Sequence, residues 1–294
     1  MCENIKERNN QMNENFDDRM NKHMRVGEVN TLMVDRVSEP GIYLISADEE
    51  EVLLPNAYVH KSMEIGTLLD VFLYTDSEDR LVSTTIKPYL YLWEFASLEI
   101  VDEAKFGAFV DIGLTKDILV PKNKQRGTFQ VGSYKVLQLQ LDERTNRLIA
   151  SEKFELLKEL EKFELNDEVD VLFYSKTPLG FKVIVNNKYD GMVYHNEIFE
   201  NINIGDKKRA YIKNVRDDDK LDICLQKIGK KIDDNKILEV LNDNGGAINF
   251  TYKSDAEDIK DVFGMSKKAF KATLTKLINE NKIVLESDAI RVKS

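Results

Sequence analysis

The run Lys105-Phe106-Gly107-Ala108-Phe109-Val110-Asp111-Ile112-Gly113 carries the side chains best suited to chemistry, and that chemistry is the recognition of flat rings. Phe106 and Phe109 stand three apart, so a regular strand would turn them to opposite faces. Gly107 tolerates backbone angles closed to other residues, and a bend there brings both rings onto one face. Two aromatics on one outer face form a surface on which nucleobases stack. Shortly downstream, Lys122, Lys124 and Arg126 make a basic loop where a phosphate backbone crossing those rings would pass. The same loop also reads as an ordinary solvated charged face.

Residues for bond-making chemistry are scarce. The histidines are three, His23, His60 and His195, and they are scattered. There is no Gly-rich phosphate loop, no Gly-x-Ser-x-Gly and no Cys-x-x-Cys. Asp48-Glu49-Glu50-Glu51 lacks metal-ligand spacing and reads as a solvated acidic turn. We therefore expect a protein that is not an enzyme and needs no cofactor or metal. A metal-dependent nuclease using Asp217-Asp218-Asp219 is the enzymatic rival, and magnesium-dependent RNA degradation abolished by chelator is its test.

The phenylalanine-bearing stretch is one of three copies. Pro40-Gly41-Ile42-Tyr43-Leu44 lies 66 positions upstream and Leu179-Gly180-Phe181-Lys182-Val183 lies 73 downstream. The same offsets relate Ile65-Gly66, Val131-Gly132 and Ile204-Gly205, then Val34, Ile100 and Phe173, then Glu51, Asp117 and Asp190. Each copy closes on a charged turn running into Arg80-Leu81, Arg147-Leu148 or Lys220-Leu221, the first offset slipping by one residue. Agreement at so many landmarks defines a repeated β unit.

The repeat sets the organisation. Residues 1–25 read as a polar tail or short helix without a signal peptide, and 26–88 form the first β unit. Residues 89–153 form the second, opened by Tyr89-Leu90-Tyr91-Leu92-Trp93, a run expected to pack between neighbouring domains. Ser151 to Leu165 is predicted as a helix, capped by Ser151 with Phe154, Leu157, Leu160 and Phe163 at helical spacing, so 154–164 is a linker helix. Residues 165–228 form the third β unit, and 229–294 turn helical. There, Ile237–Leu241, Ile259–Phe263 and Phe270–Ile278 mark three helices. Gly264-Met265-Ser266 is a turn, and strands around Ile283–Leu285 and Ile290–Val292 form a hairpin. Three helices with a tight turn and a hairpin make a winged helix. Lys267, Lys268 and Lys271 open the helix that would contact nucleic acid or a partner, beside the acidic Asp255, Glu257, Asp258 and Asp261.

Hydrophobic content is 42% and aromatic content 9%, values of a globular protein, and no apolar run approaches bilayer-spanning length. Cys2 and Cys224 form no motif. A cytoplasmic protein without membrane or small-molecule substrate is expected. The net charge of −10 argues against a general grip on nucleic acid. Nearly all of it sits in the first unit, where Val26–Pro88 holds 4 Lys+Arg against 12 Asp+Glu, while the second has 9 against 9.

The second repeat resembles an S1 domain, a five-stranded OB-type barrel of RNA-binding proteins. That resemblance implies stacking by Phe106 and Phe109, with Asp142 and Arg147 flanking the last strand. Pro121 stands where the family has a histidine. In the first unit the matches are Tyr43, Asp76 and Arg80, with Pro40 and Pro55 replacing an aromatic and the histidine. In the third, Tyr194 takes the histidine position and Lys220 the arginine position, with Leu179 and Lys182 replacing the aromatics. The expected fold is therefore mainly β, three tandem S1/OB-type barrels followed by an α+β winged-helix domain.

From about Val26 to the end the chain is similar to the conserved virulence factor B family. This resemblance implies RNA binding in post-transcriptional control of bacterial gene expression, with single-stranded RNA and ribosome or transcription components as partners. The readings left open are a protein-docking adaptor and a winged-helix DNA-binding regulator.

Overall fold

The computed structural model describes residues 19–198, 200–227 and 235–293. The chain divides into two compact units, Met1–Glu155 and Leu156–Ser294.

The first unit holds two barrels. In the first, β1 (Val29–Val37), β2 (Gly41–Ile45), β3 (Glu51–Pro55), β4 (Leu68–Thr75) and β5 (Leu81–Thr84) close in the order β1-β2-β3-β5-β4. Alternation turns Leu32, Val34, Ile42, Leu44, Val52, Leu54, Val71 and Leu73 inward as its core. The second has β6 (Phe95–Ala104), β7 (Gly107–Val110), β8 (Ile118–Pro121), β9 (Tyr134–Leu141) and β10 (Leu148–Ser151). Its order is β10-β9-β6-β7-β8, with β10 and β8 adjacent but not joined by a ladder.

The second unit opens with a third barrel, closed in the order β11-β12-β13-β15-β14. Its strands are β11 (Glu168–Thr177), β12 (Gly180–Val185), β13 (Tyr189–Tyr194), β14 (Lys207–Val215) and β15 (Leu221–Cys224). It ends in a winged helix. Helices α1 (Asn235–Asp243), α2 (Ala256–Phe263) and α3 (Lys267–Asn279) pack with a small sheet of β16 (Ala247–Ile248), β17 (Ile283–Leu285) and β18 (Ile290–Val292). Asp255 and Ser266 cap α2 and α3 by accepting the backbone N–H of Glu257 and Ala269.

The repeat landmarks are wired to one another. Val34 and Phe173 immediately precede bulges in β1 and β11, and Ile100 does so in β6. The N–H groups of Gly66, Gly132 and Gly205 donate to the carbonyls of these same three residues. Each of these glycines has positive φ, at 84°, 81° and 98°, which a side chain disfavours. The bulge bends the first strand around the barrel, and the glycine turn returns the chain to it. A fixed spacing between the two follows.

Between the first two barrels lies a second apolar layer. β4 is buried on both sides, because Val71 and Leu73 face the first core while Phe72 and Tyr74 join the core of the second barrel. Leu90 is 1% exposed within that shared layer, Tyr91 and Leu92 pack against it, and the Leu92 N–H donates to the Gly27 carbonyl. The central three residues of the Tyr89–Trp93 run therefore pack between domains as expected, whereas the Tyr89 and Trp93 side chains lie exposed.

Two expectations are corrected. Residues 154–164 form no helix. Ser151 belongs to β10, and its hydroxyl bonds the N–H and carbonyl of Lys153, a local turn that competes with helix capping. The apolar residues beyond it are drawn to separate places. Phe154 meets Phe95 edge-on at 4.7 Å in the first unit. In the second unit the Leu157 N–H donates to the Lys188 carbonyl, and Phe163 meets Tyr189 at 5.5 Å. The expected tail also shortens. Asn21 and Lys22 accept from the Ala47 and Asp48 N–H groups, and Met20 is buried, so residues 20–24 belong to the first barrel. Residues 1–18 lie outside the described ones.

Candidate nucleic-acid interface

Gly107 opens β7 with its Cα hydrogen face against the paired strand. A Cβ there would lie 2.4 Å from the Val120 carbonyl oxygen, so only glycine fits without the strands separating. Phe106 is not on a bent strand, as the sequence reading had it. It sits in the two-residue turn between β6 and β7, 61% exposed, and the turn rather than a bend sets its direction. The outcome for the rings is the one expected. Phe106 and Phe109 share a face, with centroids 6.0 Å apart and planes at 89°. One ring edge points at the other ring's face, and Phe106 is the exposed member on which a base can stack, with Phe109 half-buried beside it.

The pair borders a groove of about 370 Å³ in the first unit. Asp142 and Arg147, from the β9–β10 turn, line the same groove, as do Lys116, Asp117 and Arg144. The structure thus brings together Phe106, Phe109, Asp142 and Arg147, four of the expected residues. Tyr74 and Thr75, from the end of β4, supply a wall from the first barrel.

Asp142 acts on the turn itself. Its carboxylate accepts the Arg144 N–H at 2.9 Å, and its own N–H donates to the Arg147 carbonyl at 2.8 Å, which fixes where both arginines emerge. Arg147 bonds the Asp79 carboxylate of the first barrel. Lys116 reaches the same barrel, its ammonium donating to the carbonyls of Thr75 at 2.8 Å and Asp76 at 2.6 Å. Burial pushes Lys116 below its ordinary pKa. Burial, with Asp111 and Asp102 nearby, pushes the Asp117 carboxyl up. Arg144 makes no ion pair among the described residues and is free to meet a phosphate.

The basic loop is anchored beside Phe106, whose carbonyl accepts the Lys122 N–H at 2.9 Å. Beyond it the loop turns away. Lys124 donates to Gln140 at 3.3 Å, and the Arg126 N–H is held by Glu152 at 2.6 Å. None of the three lines the groove, so they lie beside the site rather than in it.

The corresponding faces of the other barrels are differently filled. In the first, the Arg36 guanidinium lies 4.1 Å over the Tyr43 ring and is held there by both Glu51 carboxylate oxygens. Arg80 is spent on Asp76 and Glu78. Burial opposes ionisation of Asp76, but the bonds from Arg80 and from the Glu78 N–H outweigh it and hold its carboxyl below the ordinary range. In the third, Tyr194 donates to Asp222 at 3.3 Å, Lys220 pairs with Asp218 at 2.9 Å, and Lys182 stands on β12 opposite Met192. Leu179 takes the turn position of Phe106 and is likewise exposed. In the winged helix Lys268 and Lys271 are exposed without an ion pair among the described residues, and Lys267 reaches the Lys253 carbonyl at 3.4 Å.

Sequence reasoning missed Lys116, Arg144, Asp79 and Arg36. Arg144 was findable, two residues from Asp142 in a turn already marked as charged. The other three act across barrels or strands, and nothing local announces them.

Residues 26–86 match the S1 domain model, and residues 235–292 match a CvfB-like winged helix domain. Conserved virulence factor B of Staphylococcus epidermidis is 24% identical over 90% of this chain and 94% of its own length. The chain is similar to conserved virulence factor B along most of its length. YitL of Bacillus subtilis, 27% identical over 93% of this chain and 96% of its own, is similar along the same length. A multidomain protein with nucleic acid binding domains from Streptococcus pneumoniae superposes with a TM-score of 0.43 at 21% identity, covering 91% of this chain and 98% of that one. In this chain the S1 match falls on the first barrel, whereas the Phe106–Phe109 pair is on the second. S1 and winged-helix domains together point to nucleic-acid binding.

Proposed function

We propose that the chain binds single-stranded RNA with little sequence preference, through the groove of the second barrel, in post-transcriptional control of gene expression in the cytoplasm. The observation that carries the reading is the edge-to-face pair of exposed Phe106 and half-buried Phe109 at a groove that also holds Arg144. Stacking accepts any base, and arginine meets phosphate without reading sequence, so low specificity follows. The chain acts by binding and not by catalysis. Its winged helix docks a protein, since an acidic α2 adjoins the lysines of α3 and blunts the basic footprint that a DNA reader presents.

The test is binding of single-stranded RNA, double-stranded RNA and duplex DNA at low and physiological salt. Single-stranded RNA should bind best, and duplex DNA should be lost at physiological salt. Changing both Phe106 and Phe109 to Ala should weaken RNA binding at least ~10-fold, since stacking is worth roughly 1–3 kcal/mol per base. Deleting residues 229–294 should cost less. Native circular dichroism with unchanged affinity in the double variant overturns the reading.

A further inference from the structure

Among the described residues the groove has three cations, and they are held in three different ways. Lys116 is fixed by two backbone carbonyls of the first barrel. Arg144 is unpaired. Arg147 is held by one carboxylate, Asp79, from the tip of the first barrel's β4–β5 turn. Both members of that pair are about half exposed, 48% and 47%. An ion pair open to water on both sides adds little to stability. What it does add is a negative charge bonded to a guanidinium that lines the groove.

Asp79 is placed there by its turn. Asp76 accepts the N–H groups of Glu78 and Arg80, and its own N–H donates to the Arg80 carbonyl, a closed loop that leaves Asp79 at its tip with φ of 65°. The neighbouring Glu78 has the same charge but points to Arg80 at 2.9 Å and is not bonded to Arg147.

We propose that Asp79 competes with the RNA backbone for Arg147, so that the first barrel restrains the affinity of the groove on the second. A phosphate and a carboxylate offer the guanidinium the same bidentate oxygen geometry, so one replaces the other directly. Lys116 and the turn need not move. In the free protein the carboxylate occupies the arginine; with RNA bound, the arginine bonds phosphate and Asp79 returns to water. The inference rests on the RNA reading above and names which barrel tunes it.

The experiment uses the full chain and a labelled oligouridine of about 16 nucleotides, the upper end of the site size for one OB barrel. Asp79→Asn keeps the side-chain shape, and asparagine tolerates positive φ, so the turn is preserved. Affinity should rise about two- to fivefold, the worth of an exposed ion pair. The slope of log affinity against log salt should not gain the roughly 0.7 of an added phosphate contact, because Arg147 meets phosphate in both proteins once RNA is bound. Glu78→Gln, removing the same charge from the same turn, should leave the affinity unchanged. In an Arg147→Ala background the gain from Asp79→Asn should vanish. No gain, an equal gain from Glu78→Gln, or a gain that survives Arg147→Ala each overturns the proposal. The Phe106/Phe109 double variant keeps the two ideas apart: its loss of binding with no effect at Asp79 sinks only the competition, whereas its retention of binding sinks the RNA site itself.

Discussion

Replacing Gly107 by alanine tests the steric reason for the glycine on which the aromatic face depends. The new Cβ would sit 2.4 Å from the Val120 carbonyl oxygen, 0.6 Å inside the 3.0 Å below which real Cβ contacts essentially never fall. Leu119 Cδ1, at 2.8 Å, can rotate away, but the carbonyl belongs to the ladder that pairs Gly107 with Pro121 and Ala108 with Val120. Relief therefore means parting β7 from β8. Overpacking of this kind costs typically 1–3 kcal/mol. At about 2 kcal/mol, amides that exchange by local opening of this hairpin should exchange roughly 30-fold faster, one decade per 1.4 kcal/mol. Peptide-resolved hydrogen exchange over residues 107–121 reads the effect, with the third barrel as internal reference. RNA affinity should fall in the same variant, because Phe106 is the residue before the displaced strand. Gly41 and Gly180, where the Cβ would lie 2.1 Å from the Leu54 and Val193 carbonyl oxygens, should be at least as costly in their own barrels. Unchanged protection over 107–121 refutes the argument, and the glycine of the repeat would then need another cause.

Leu90→Ala should cost about 2–5 kcal/mol, as a large-to-small change at a site 1% exposed, and should accelerate exchange in both barrels of the first unit; an effect confined to the second barrel refutes the shared layer. Asp76 has its carboxyl held below the ordinary value, so its contribution is present at neutral pH and is lost as pH falls through the ordinary carboxylate range of about 4 and on to the folded value. The urea midpoint of the natural chain should therefore exceed that of Asp76→Asn at neutral pH, with the gap closing in acid; a gap independent of pH refutes it.

The barrels were legible because their signals are local and threefold. The offsets linking Val34, Ile100 and Phe173 to Gly66, Gly132 and Gly205 were visible as spacing, and the hydrogen bonds between those pairs are its cause. The Phe106–Phe109 pair was legible from its local sequence in the second copy, although Phe106 reaches its face from a turn. The 151–165 stretch shows the opposite case. Its helical periodicity was present in the sequence, but two different cores compete for its apolar side chains, and that competition is tertiary. Likewise Arg80 and Arg147 occupy equivalent positions in the repeat. One folds back on Asp76 in its own turn and the other reaches Asp79 in the neighbouring barrel, a difference that only packing decides.

The two-sided burial of β4 separates the unit of duplication from the unit of cooperativity. Counted by sequence, a copy ends near Pro88; counted by energy, nothing ends there, because Phe72 and Tyr74 have no water-facing alternative once Leu90 is removed. A first barrel released on its own would present those rings as a sticky stripe, and a second barrel on its own would lose the wall of its groove. Shuffling single copies of this repeat would therefore yield aggregation-prone pieces, whereas the pair of barrels can be moved as a whole. The face of β4 that a lone barrel would turn to water is interior in this chain.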